Sequence, residues 1–144
     1  MRIASVLFAA ALVPVLSAQA PTLKPGQYEL VSEFSMAGRP GGLPARKDLH
    51  CYTARELQDL AASVAKSNAK QNCNVLNSKT VGSTMTFTTE CVNPDGSRLT
   101  SSGEVSFTSQ DSYHVVVKMS SEANPALNGT TIKITAKRIG DCTK

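Results

Sequence analysis

The chain has 144 residues, 41% hydrophobic and 18% charged, with four cysteines, no tryptophan and a formal net charge of +4. That is sequence for one domain. So mild a charge, with seven Phe and Tyr as the only aromatics, argues against nucleic acid as a partner.

At the start, Arg2 precedes an apolar run from Ile3 to Leu16, and Ala18-Gln19-Ala20 follows as a small-x-small pattern. This is the form of a secretory leader cut after Ala20. The run is about 14 residues, short of the roughly 20 that span a bilayer as a helix, and Pro14 interrupts it. No cysteine stands at the cut, and no later stretch is apolar enough to cross a membrane. The reading is therefore a leader over 1–20 and a single β-rich domain over 21–144, periplasmic or secreted and not membrane-spanning.

Residues 27–36, "QYELVSEFSM", alternate with period two, placing Tyr28, Leu30, Phe34 and Met36 on one face of a strand. "AGRPGGLPAR" carries three Gly and two Pro in ten residues and is expected to be a loop, followed by a short extended stretch from Lys47 to Tyr52. The period then changes. "TARELQDLAASVAKS" sets Leu57, Leu60, Ala61 and Val64 at helical spacing, with Thr53 and Glu56 in capping-box positions.

After the helix, alternation returns. "NVLNSKTV" and "TMTFTTECV" read as a hairpin about Gly82-Ser83, with Met85, Phe87, Thr89 and Cys91 sharing a face. "NPDG" is a turn. The next strand turns Leu99, Gly103, Val105 and Phe107 inward, and Gly103 suggests a bulge or bend. "YHVVVKMSS" and "TTIKITAKRI" complete the series, with the loop "EANPALNG" between them. The fold class is mainly β: a strongly curved antiparallel meander or open barrel of six to seven strands with one α-helix. That helix covers the apolar face or plugs one end.

Cys51, Cys73, Cys91 and Cys142 are an even set in an exported chain and read as two disulfides. Their intervals of 22, 18 and 51 residues, without C-x-x-C, fit neither zinc nor a redox pair. The preferred pairs are Cys51 with Cys73, flanking the helix, and Cys91 with Cys142, tying down the C-terminal end. A rival arrangement joins Cys73 to Cys91, which are symmetric about Gly82, and leaves Cys51 for Cys142.

In order and spacing, "LKPGQYEL", "CYTARE", "NCNVLNSKTVGSTMTFTTEC", "PDGSRLTSSGEVSF" and "KRIGDC" resemble a family of exported bacterial proteins catalogued as domain of unknown function family 3617. The resemblance runs over nearly all of residues 21–144. It departs at Tyr28, where the family usually carries an aromatic such as Trp. It implies a Gram-negative envelope location, paired cysteines and a β-rich fold. It carries over no activity, ligand or catalytic residue.

No catalytic, cofactor or metal site emerges from the residues. His50 and His114 are isolated, and Glu29, Glu33, Glu90 and Glu104 fall mostly on the solvent face. No G-x-S-x-G elbow, phosphate loop or dinucleotide fingerprint occurs. Lys118, Lys133 and Lys137, with Arg138 nearby, form a candidate patch for anionic envelope components, although edge lysines also discourage strand aggregation. The expected function is a non-catalytic binding module for an apolar small molecule or an envelope component or protein. The alternative is a secreted inhibitor or interaction module displaying "AGRPGGLPAR", with Arg39 and Arg46, and "EANPALNG".

Overall fold

The computed structural model describes residues 22–58 and 68–143. The leader expected over 1–20 lies outside them, as does the stretch with Leu60, Ala61 and Val64. Seven strands are present: β1 Gly26–Met36, β2 Arg39–Tyr52, β3 Cys73–Val81, β4 Thr84–Val92, β5 Arg98–Ser109, β6 Ser112–Ser121 and β7 Thr130–Gly140. They form one open antiparallel sheet in the order β2-β1-β7-β6-β5-β4-β3.

Strands β3 to β7 are a meander. The β1–β2 hairpin does not extend it at the β3 end but docks beyond β7, which makes the first strand an interior one. Tyr28 is the reason this is favourable. It is the most deeply buried large side chain, and between two neighbours it is enclosed from both sides.

The expected loop "AGRPGGLPAR" is instead mostly strand, the first half of β2. Its prolines are tolerated because β2 is an edge, where a missing N–H costs no ladder bond if it faces outward. At Gly42, φ 57°, a β-carbon would lie 2.8 Å from the Phe34 carbonyl oxygen, next to the register shifts between Ser32, Phe34 and Met36. A side chain there would be strained as well as crowded. At the other edge, Gly82 also has a φ of 57° and Ser83 does not have a positive φ. That pattern fits a two-residue II′ turn, whose twist matches a hairpin.

The α-helix described, α1, covers Ala54–Gln58. Its start has the reciprocal bonds anticipated from Thr53 and Glu56. The Thr53 hydroxyl accepts from the Glu56 N–H at 3.2 Å, and the Glu56 carboxylate accepts from the Thr53 N–H at 2.8 Å. The Thr53 backbone bond holds the Glu56 carboxyl below its ordinary pKa, with the Thr53 hydroxyl adding to it. Leu57 is the side chain α1 packs against the core.

That core is a cluster at one end of the sheet: Tyr28, Tyr113, Ala136 and Leu23, flanked by Leu30, Tyr52, Leu57 and Phe107. Tyr52 meets Tyr28 edge-on at 5.2 Å between ring centres, a geometry that contributes about 0.5–1.5 kcal/mol beyond area burial. Ala136 stands opposite both Leu30 and Tyr113. Its small size leaves room for the rings around it.

The disulfides follow the rival arrangement. Cys51 is bonded to Cys142 and Cys73 to Cys91, which corrects the expected pairs Cys51–Cys73 and Cys91–Cys142. Cys73 and Cys91 are direct cross-strand partners on β3 and β4. Gln27 of β1 faces Cys51 on β2 and Gly140 on β7, so the segment after β7 arrives beside Cys51. Chain-entropy estimates for separations of 91 and 18 residues are about 4.6 and about 3.2 kcal/mol respectively.

Gly103 makes no bulge. The ladders to β4 and β6 run through it unbroken, pairing it with Phe87 and Val117. What it supplies is space, because a β-carbon there would overlap the Phe87 ring.

Candidate functional site

Alternation gives the sheet two chemically distinct faces, and each holds a candidate surface. Among the described residues, the apolar face is most deeply buried at the tyrosine cluster. Val105 on β5 and Val115 on β6 pack against that cluster, and beyond them Met85 and Phe87 on β4, Val117 on β6, and Ile132 and Ile134 on β7 are half-buried. Register places them side by side: Met85 opposite Val105, Val105 opposite Val115, Val115 opposite Ile134, and Val117 opposite Ile132. None of these side chains carries a hydrogen-bond donor, and the Met85 thioether is at most a weak acceptor.

At the covered end, polar atoms are tied up. The Tyr28 hydroxyl donates to the Lys24 carbonyl at 2.8 Å and also lies 3.3 Å from the Gln110 carbonyl. Tyr52 and Tyr113 share a hydroxyl–hydroxyl bond of 2.7 Å. Burial pushes the Tyr113 phenol far above its ordinary pKa, with Tyr52 and Tyr28 adding to it. Burial likewise raises Tyr28, reinforced by Asp111 and opposed by Arg138. Each of these phenols is thus held protonated and already engaged in a hydrogen bond.

The sequence-derived basic set divides between the faces. Lys118, Lys133 and Lys137 project from the polar face. Arg138 lies opposite Tyr28, on the other face. Its Nε donates to the Pro25 carbonyl at 2.9 Å and its guanidinium pairs with Asp141. The lysines are also interleaved with acids, since Lys133 stands opposite Glu33 and Lys137 opposite Glu29. Glu29 is in turn 3.5 Å from Lys47.

His50 meets Tyr52 edge-on at 4.3 Å between ring centres, and His114 lies 3.3 Å from the Thr135 hydroxyl. Each histidine is on a different strand with its own neighbour. Among the described residues no group of three His, Cys, Asp or Glu is placed to hold a metal ion.

On the polar face two depressions cross the meander. The larger, about 570 Å³, has Lys79 on β3, Thr86 on β4, Glu104 on β5 and Lys118 on β6 around it. The smaller, about 360 Å³, is lined by Glu90, Arg98, Thr100, Ser120 and Glu122. Alternation along β4 sets Thr86, Thr88 and Glu90 on one face. Nothing within that segment aligns them with β3, β5 and β6, because cross-strand register is set by turns and bulges rather than by any one segment.

Residues 23–142 match the family model described as Protein of unknown function (DUF3617). The chain belongs to this family. The DUF3617 match extends from Leu23 of the core cluster to the second cysteine of the Cys51–Cys142 bridge, so it takes in all seven strands and both disulfides. No curated protein and no solved structure matches the chain. Two disulfides are consistent with an exported protein. Among the described residues no helix is long and apolar enough to cross a membrane.

Proposed function

We propose that this DUF3617 member is a non-catalytic binding module of the bacterial envelope whose apolar sheet face receives an aliphatic chain, such as the acyl tail of an amphiphile. One observation carries this reading: Met85, Phe87, Val105, Val115, Val117, Ile132 and Ile134 form a continuous half-buried surface with no polar side chain among them. A sheet with one apolar face gains by covering it, at roughly 25 cal/mol per Å². α1 contributes its cover at the tyrosine end, through Leu57. Flexible Met85 and the exchangeable branched side chains suit an occupant of variable shape.

The interaction-module alternative loses half of its motivation, because "AGRPGGLPAR" is mostly paired edge strand and not a displayed loop. The part of "EANPALNG" that remains is a 3₁₀ turn, Pro125–Leu127, capped by the Asn124 side chain.

The test is titration of the folded, oxidised protein with a fluorescent fatty acid. Wild type should bind it saturably. Val117→Asp, in the centre of the apolar surface, should weaken binding at least tenfold. Thr86→Asp, on the opposite face, should leave it unchanged. Absence of saturable binding to wild type, or equal binding by wild type and a folded Val117→Asp variant, would refute the reading.

A further inference from the structure

The polar face carries a second site, independent of the apolar one. Its two depressions lie end to end along the same three strands. Thr88 leads to Glu90 on β4, Ser102 to Thr100 on β5, and Lys118 to Ser120 on β6. Together they make one furrow running with the strands.

Its ends are oppositely charged. At one end Lys79 and Lys118 outnumber Glu104, and among the described residues neither lysine has a carboxylate within 4 Å. At the other end Glu90 and Glu122 outnumber Arg98, which is already paired with Glu90 at 3.3 Å. The rows between carry the hydroxyls of Thr88, Ser102, Thr100 and Ser120 and the Asn77 amide, groups that can both donate and accept, with Lys118 beside Ser102 and with Phe87, Gly103 and Val116 also lining the larger depression.

We infer that this furrow binds an extended, dipolar peptide segment, with an acidic side chain at the Lys79–Lys118 end and a basic one at the Glu90–Glu122 end. The hydroxyls of the middle stretch would meet the peptide's backbone N–H and C=O groups. A uniformly anionic polymer is disfavoured, since Glu90 and Glu122 repel it over half the length. Thr86, which stands opposite Lys79, and Glu90 are four residues apart on β4, about 13 Å at the rise of a strand. The complementary charges of the peptide are therefore also four residues apart, on one side of an extended chain.

Two uncharged-end heptapeptides of identical composition test this: one with Asp and Lys four positions apart, the other with them adjacent. Each is titrated into the isotopically labelled full domain and followed by amide chemical shifts, with dextran sulfate as a polyanion control. The expected result is at least fivefold tighter binding of the spaced peptide. Its shifts should concentrate at Lys79, Thr88, Ser102 and Lys118, and Lys118→Glu should abolish the preference. Equal affinities, shifts on the apolar face, or a response to dextran sulfate alone would each overturn the proposal. The fatty-acid titration is unaffected by any of these outcomes.

Discussion

The hydroxyl of Tyr52 on edge strand β2 lies 2.7 Å from the hydroxyl of Tyr113 on β6, joining strands that are not neighbours in the sheet. The bond lies over β1 and β7, which separate them, and closes the tyrosine cluster above Tyr28. Tyr113 is buried and Tyr52 half-buried. Removing one hydroxyl therefore has unequal consequences. Tyr52→Phe strands the buried Tyr113 hydroxyl and should cost about 1–3 kcal/mol, whereas Tyr113→Phe should cost about 0.5–1.5 kcal/mol. Urea denaturation of both variants measures the difference.

The same pair gives a pH dependence. Tyr113 keeps its proton in the folded state well beyond the ordinary pKa of 10.0, while the unfolded chain ionises near that value. The stabilisation is complete below pH about 10 and is lost as pH rises above it, because the unfolded state alone releases the proton. Tyr28, raised in the same direction, adds to the slope. Unfolding free energy measured from pH 8 to 11.5 should fall above 10, and less steeply in Tyr113→Phe. A flat profile would contradict the burial of these phenols.

At Gly103 the limitation is space, not backbone freedom. Gly103→Ala should destabilise the domain by about 1–3 kcal/mol through overpacking against Phe87. The double variant Gly103→Ala/Phe87→Leu should recover part of that loss relative to the sum of the single variants, the signature of direct contact. Additive losses in a denaturation-based double-mutant cycle would mean that the two residues do not meet.

Thr130 is 3% exposed, and its hydroxyl has no hydrogen-bond partner among the described residues. An unsatisfied buried hydroxyl is a cost, not a contribution. Thr130→Val keeps the shape and removes the polar atom, so its thermal midpoint should equal or exceed that of wild type. A drop of several degrees would show that the hydroxyl is bonded in solution.

Much of this fold was legible because alternation is a local signal. The inward sets of β1, β4, β6 and β7 follow directly from residue spacing, and Thr53 and Glu56 announce the start of α1. Composition misled at "AGRPGGLPAR", where Gly and Pro signalled a loop although an edge strand admits both. The non-local pairings were beyond reach. Nothing in "QYELVSEFSM" says that it will lie beside β7, and that single adjacency decides where Cys51 and Cys142 sit. The symmetry of Cys73 and Cys91 about Gly82 was the available clue to the true bridges. The furrow was hidden for the same reason, since it exists only once four strands are in register.

Proteolysis of the oxidised protein without reduction, followed by mass spectrometry of the linked peptides, addresses the architecture most directly. The strand order with β1 between β2 and β7 requires one peptide joining Cys51 to Cys142 and another joining Cys73 to Cys91. A peptide linking Cys51 to Cys73 or Cys91 to Cys142 would mean that β1 and β7 are not neighbours, and both proposed binding surfaces would lose their frame.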